Sequence, residues 1–112
     1  MKKVTAVVRP EKFDELKAAL NAQGIVGMTT YDVRGCGSQH GHQLDAPGDE
    51  KTLNLLPKVK IELVVRDNQV ENIINVICCV ARTGHVGDGK IFVSPVEQCV
   101  RIRTGERWDA AV

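Results

Sequence analysis

Thr83-Gly84-His85-Val86-Gly87-Asp88-Gly89-Lys90 places three glycines in six residues, immediately before the apolar run Ile91-Phe92-Val93. Glycine accepts left-handed backbone conformations, so such a stretch can turn several main-chain N–H groups toward one anion, and Lys90 adds a charge at its rim. That chemistry suits phosphate. Gly84, Gly89 and Lys90 meet the Walker A spacing, but Ile91 stands where the magnesium-binding Ser or Thr belongs. The residues after Lys90 also read as a strand rather than a helix, so this is not a P-loop. The plainer alternative is a glycine-rich turn from helix to strand, with Asp88 and Lys90 in solvent.

A second stretch with chemical potential runs from Gly35 to Leu56, where neither a helical nor a strand period is visible. Compact domains seldom carry so long a connection without a function, although an inconsequential insertion is the alternative. Cys36, His40 and His42 fall inside it at a Cys-x-x-x-His-x-His spacing that could ligate a soft divalent metal. No paired-cysteine motif supports that reading, and coincidental polar loop residues are the simpler account. Cys36 also invites a redox role.

Composition bounds what these stretches can serve. The 112 residues are expected to form a single domain, 1–112, with one core and a long loop at about 35–56. Fifteen basic against 14 acidic residues leave a formal charge of +1, so no global field draws the chain to nucleic acid or membrane. One Trp, one Tyr and two Phe also argue against base-stacking platforms. The start of the chain lacks an apolar signal segment, and no apolar run approaches membrane-spanning length, so a soluble, cytoplasmic protein is expected. Cys36, Cys78, Cys79 and Cys99 then read as reduced thiols, with Cys78 and Cys79 as core fillers.

The elements that must position these loops follow from periodicity. Lys3 to Arg9 is β-branched and closed by Pro10, giving a first strand. Phe13, Leu16 and Leu20 lie at helical spacing until Gly24, and Ile25 to Arg34 supplies a second strand. Lys58 to Arg66 alternates as a third strand after Pro57. Asn68 with Glu71 predicts a capping box for a second helix, whose Val70, Ile73, Ile74, Ile77 and Ala81 form a buried stripe. Lys90 to Val96 is a fourth strand, broken by Pro95 and followed by a short run from Val100 to Arg103. Val7-Val8-Arg9 recurs as Val64-Val65-Arg66, and at the same offset of 57 residues Phe13, Leu16 and Leu20 meet Val70, Ile73 and Ile77. A doubled βαβ unit follows: an α+β, ferredoxin-like antiparallel sheet with both helices on one face and the two loops at related places in the halves. The uncovered sheet face predicts self-association.

With these pieces in place, the sequence resembles the PII family of nitrogen-regulatory signal proteins over essentially its whole length. The matching stretches are Arg82-Thr83-Gly84, Gly87 to Val93, Pro95-Val96-Glu97 and Arg101 to Arg107, with Gly27-Met28-Thr29 before the long loop and Leu56 to Lys60 after it. The resemblance implies a homotrimer of ferredoxin-like subunits holding ATP or ADP in clefts between neighbours. Gly87, Asp88, Gly89 and Lys90 would cradle the phosphates and Arg101 and Arg103 would reach them. Thr29, Val64 and the stretch Gly35, Cys36, Gly37, Ser38 and Gln39 would border the nucleotide. It further implies 2-oxoglutarate beside Mg-ATP, with Gln39 on the metal and Lys58 on the effector's carboxylate. The long loop would then engage a target such as an ammonium transporter or a nitrogen-assimilation enzyme, which is also the one route to a membrane.

The loop departs from the family pattern. Ser38 stands where an arginine is frequent, Lys51 where many members carry the nucleotidylated tyrosine, and Pro47 near the arginine that plugs the ammonium channel. Asp45, Asp49 and Glu50 make it more acidic. No tyrosine modification is therefore expected there, and a regulator of a different transporter or enzyme, metal-responsive through Cys36, His40 and His42, is the alternative. No carboxylate–histidine pair suggests turnover, and only His85 could activate water, so the chain reads as a regulator rather than an enzyme.

Overall fold

The computed structural model describes residues 1–37 and 55–112. Strand β1 (Lys2–Val8) leads through a 3₁₀ turn (Pro10–Lys12) into helix α1 (Phe13–Ala22), then strand β2 (Thr29–Gly35). Strand β3 (Leu56–Val65) leads through a second 3₁₀ turn (Asp67–Gln69) into helix α2 (Val70–Ala81), then strand β4 (Lys90–Pro95). All ladders are antiparallel in the order β2-β3-β1-β4, so each half splits its two strands around one from the other half. This is the ferredoxin-like α+β sheet.

The internal repeat holds to the residue from the end of the first strand of each half to the start of its helix. Arg9 and Arg66 each end a strand and open a 3₁₀ turn, and Phe13 and Val70, 57 residues apart, each begin an α-helix. Leu16 and Leu20 of α1 are fully buried, as are Ile73 and Ile77 of α2. They press on Val4, Ala6 and Val8 of β1 and on Val59, Ile61, Leu63 and Val65 of β3, one face of the sheet. The opposite face carries Lys3, Thr5 and Val7 beside Lys60, Glu62 and Val64, with Tyr31 and Phe92 in register with them. Among the described residues no helix covers it, and Phe92 is 56% exposed.

Several expectations need correction. Strand β2 begins at Thr29 rather than Ile25, because the Ile25 amide turns back to the Leu20 carbonyl at 3.0 Å to close α1. Strand β3 begins two residues early and includes Pro57; β1 pairs only from Val59 onward, so there β3 has a neighbour on one side alone and the missing N–H breaks no second ladder. The second helix is not opened by an Asn68–Glu71 box: Gln69 Oε1 accepts from the Arg66 amide at 2.9 Å instead. The run Val100 to Arg103 forms a reverse turn, in which the Arg101 amide donates to the Glu106 carbonyl at 2.8 Å and the Gly105 amide to the Arg101 carbonyl at 2.7 Å. Cys79, expected in the core, lies exposed on α2, and all four thiols are free.

Candidate functional site: a glycine loop against the strand ends

The glycine loop joins α2 to β4, so its counterpart in the first half is the α1–β2 connection and not the β2–β3 loop, contrary to the reading from sequence. The two loops nevertheless meet, because β2 ends and β3 and β4 begin at the same edge of the sheet. Gly35, Cys36 and Gly37 share a groove of about 560 Å³ with Arg9, Lys58 and His85 to Lys90.

Left-handed backbone shapes the loop: Gly84, Gly87 and Gly89 have φ of +89°, +99° and +104°. Gly89 is there for a second reason. A Cβ on it would sit 1.7 Å from the Val7 carbonyl oxygen, so only glycine lets the loop dock on the end of β1.

Asp88 is the hub rather than a solvated acid. Its carboxylate accepts from the Thr83 hydroxyl, from the Thr83 amide at 2.8 Å and from the Gly84 amide at 2.9 Å, and it pairs with Arg9 Nε at 3.2 Å. The bonds from Thr83, then those from Gly84 and Arg9, hold its carboxyl well below the usual carboxylate range.

Two cations bind the loop's carbonyls. Arg9 Nη2 donates to Val86 O at 2.7 Å and Lys58 Nζ to Gly87 O at 2.5 Å. In a planar trans peptide C=O and N–H point oppositely, so the amides of Gly87 and Asp88 face away from those cations. Among the described residues nothing accepts from the N–H groups of Gly87 or Gly89, while that of Asp88 closes a turn over Val86 and Gly87. Lys58 itself is buried, and burial, with Arg9 beside it, lowers its ammonium pKa below the ordinary 10.5. These two free donors with Lys58, Lys90 and Arg9 nearby form a setting for a polyanion.

The remaining sequence-predicted residues gather elsewhere. Thr29, Val64 and Arg101 line a second groove with Gly27, Glu62 and Cys99. Thr29 and Gly35 cap opposite ends of β2, roughly 20 Å apart at about 3.3 Å per residue, so one chain cannot bring both groups to one nucleotide. Arg101 is paired with Glu106 at 3.0 Å, and Arg103 is exposed on the same turn. Ser38, Gln39, His40 and His42 lie outside the described residues, as do the departures at Asp45, Pro47, Asp49, Glu50 and Lys51. Among the described residues no cluster of three or more His, Cys, Asp or Glu could hold a metal ion. Arg9 was missed as a site residue; its place directly after a strand, before Pro10, was the available signal. Glu62 was also missed, and its Lys3 partner at 3.2 Å gives no mark in the sequence.

Comparison with known proteins agrees with this architecture. The family model for Nitrogen regulatory protein P-II matches residues 1–106. A Nitrogen regulatory protein P-II from Microchaete diplosiphon is 56% identical over 112 residues, covering 100% of both chains. That of Cereibacter sphaeroides is 48% identical over 112 residues, again with 100% of both covered. Nitrogen regulatory protein P-II 2 from Methanothermobacter thermautotrophicus is 49% identical, across 100% of this chain and 97% of its own. Such similarity over the entire length, on a sheet built from two βαβ halves, leaves one conclusion: the chain belongs to the P-II family of nitrogen regulatory proteins.

Proposed function

We propose that this chain is a nucleotide-sensing regulator that binds ATP or ADP and controls a target protein of nitrogen metabolism through the loop at 35–56. The observation that carries the reading is the pair of unengaged amides at Gly87 and Gly89, ringed by Lys58, Lys90 and Arg9. Polyphosphate is the ligand whose charge and acceptor count fit them. The nucleotide site is composite: the glycine-loop groove of one copy meets the Thr29, Val64 and Arg101 groove of the next. Separation of the two grooves within one chain supports this, and so does the uncovered sheet face. Head-to-tail contacts of this kind close into a ring, here a homotrimer.

Lys58 takes the carboxylate of an effector such as 2-oxoglutarate, since a buried ammonium beside Arg9 favours an anion. Gln39 completes the site by holding Mg²⁺ with ATP. The role is regulatory rather than enzymatic, with any ATP hydrolysis slow, and the protein acts in the cytoplasm. Among the described residues no helix is long and apolar enough to cross a membrane, so a transporter target would be approached from its surface. Calorimetric titration with ATP, ADP and AMP tests the reading. Binding that strengthens from AMP to ATP supports it, and absence of heat and of any thermal shift at millimolar nucleotide removes it.

A further inference from the structure

We infer that Arg9 and Asp88 are positioning residues, which hold the 83–89 loop so that its main-chain N–H groups meet a polyphosphate, and that neither side chain is itself a phosphate ligand. The inference rests on the phosphate-binding reading above. Arg9 stands between the end of β1 and Pro10, so its backbone is fixed by the sheet. One guanidinium then grips the loop at two points, Asp88 Oδ1 at 3.2 Å and Val86 O at 2.7 Å. A planar fork can hold two such points in fixed relation, and an ammonium cannot.

Asp88 is equally committed. A carboxylate offers about four acceptor sites. Oδ1 takes Arg9 Nε and the Thr83 hydroxyl, and Oδ2 takes the amides of Thr83 and Gly84. Nothing remains for a ligand hydroxyl or a metal ion. An acidic side chain beside a phosphate site is electrostatically unfavourable for the anion. Its presence therefore calls for a different reason, and the latch onto Thr83, Gly84 and Arg9 provides one. The guanidinium lies on the carbonyl side of the 86–87 peptide, opposite the amide that an anion would meet.

The two accounts predict opposite signs. Removing the negative charge alone should tighten anion binding, whereas breaking the latch should weaken it. With the full chain titrated by ATP and by inorganic tripolyphosphate, Asp88→Ala and Arg9→Gln are each expected to bind about fivefold to tenfold more weakly, and the double variant no more weakly than the worse single. Arg9→Lys, which keeps the charge and loses the fork, should stay within about twofold of Arg9→Gln. Amide hydrogen exchange at Thr83 and Gly84, whose N–H groups donate to Asp88, should quicken in the ligand-free protein in Arg9→Gln. Thr83→Val, a milder cut that removes one donor, should cost about twofold to threefold and covers the case of a poorly folding Asp88→Ala. Asp88→Ala binding ATP as well as or better than the wild type would overturn the inference, as would full rescue by Arg9→Lys or unchanged exchange. Wild-type protein that binds neither ATP nor tripolyphosphate removes the phosphate reading together with this one. Tight wild-type binding matched by Arg9→Gln removes this one alone.

Discussion

Gly84 and Gly89 share a left-handed backbone, at φ +89° and +104°, but not its surroundings. A Cβ at Gly84 meets nothing within 4 Å, whereas one at Gly89 collides with the backbone of Val7. Gly84→Ala should therefore cost about 1 kcal/mol, the strain of its φ alone, and leave ATP binding nearly intact. Gly89→Ala must push the loop off β1, and is expected to abolish detectable ATP binding while the urea midpoint falls further than for Gly84→Ala. The Asp88 latch also sets a pH expectation. Its carboxyl is depressed in the folded chain, so its contribution is present above the ordinary value of 3.8 and is lost only as pH falls below that. Exchange protection at Thr83 and Gly84, whose amides donate to Asp88, should be flat between about pH 5 and 8, after correction for intrinsic rates, and should fail only in stronger acid.

At the scale of elements, the repeat makes a quantitative demand. Leu20 and Ile77 occupy equivalent turns of α1 and α2 and are both fully buried against the same sheet face. Leu20→Ala and Ile77→Ala should each destabilise by about 2–5 kcal/mol in denaturant unfolding, the range for emptying a packed aliphatic site. The correction at the start of α2 gives a sharper test. Gln69→Ala removes the acceptor of the Arg66 amide and should cost about 0.5–1 kcal/mol, while Asn68→Ala, which holds no cap, should be near neutral. Periodicity located both helices because burial on one face enforces it. It could not choose the cap, since Asn68 and Gln69 are both plausible until the strand before them fixes which side chain can reach back.

At the scale of the whole molecule, the proposed composite site makes assembly a condition of binding, because its two grooves lie at opposite ends of the sheet. Light scattering at micromolar concentration should give three times the chain mass. Gly89→Ala spoils one groove and Arg101→Ala the other, so each homogeneous variant should fail to bind ATP. Co-assembled in equal amounts, the two should recover about a quarter of the wild-type sites, because an intact groove of each kind must meet by chance. A site confined to one chain would recover none.

Periodic burial, β-branched alternation and the offset repeat were enough to determine, from sequence alone, the doubled βαβ sheet, its buried stripes and the place of the glycine loop between the second helix and the last strand. These are local properties, encoded in residues that are neighbours along the chain. What the tertiary structure alone decided was the company each loop residue keeps. Arg9 and Asp88 are 79 positions apart, and Lys58 reaches Gly87 from a strand in the middle of the chain. Such partnerships depend on which strand ends the sheet brings together, and strand order leaves no periodic trace in the sequence. For the same reason Asp88 read as a ligand or a solvated acid, and only its four donors made it the fastening of the loop.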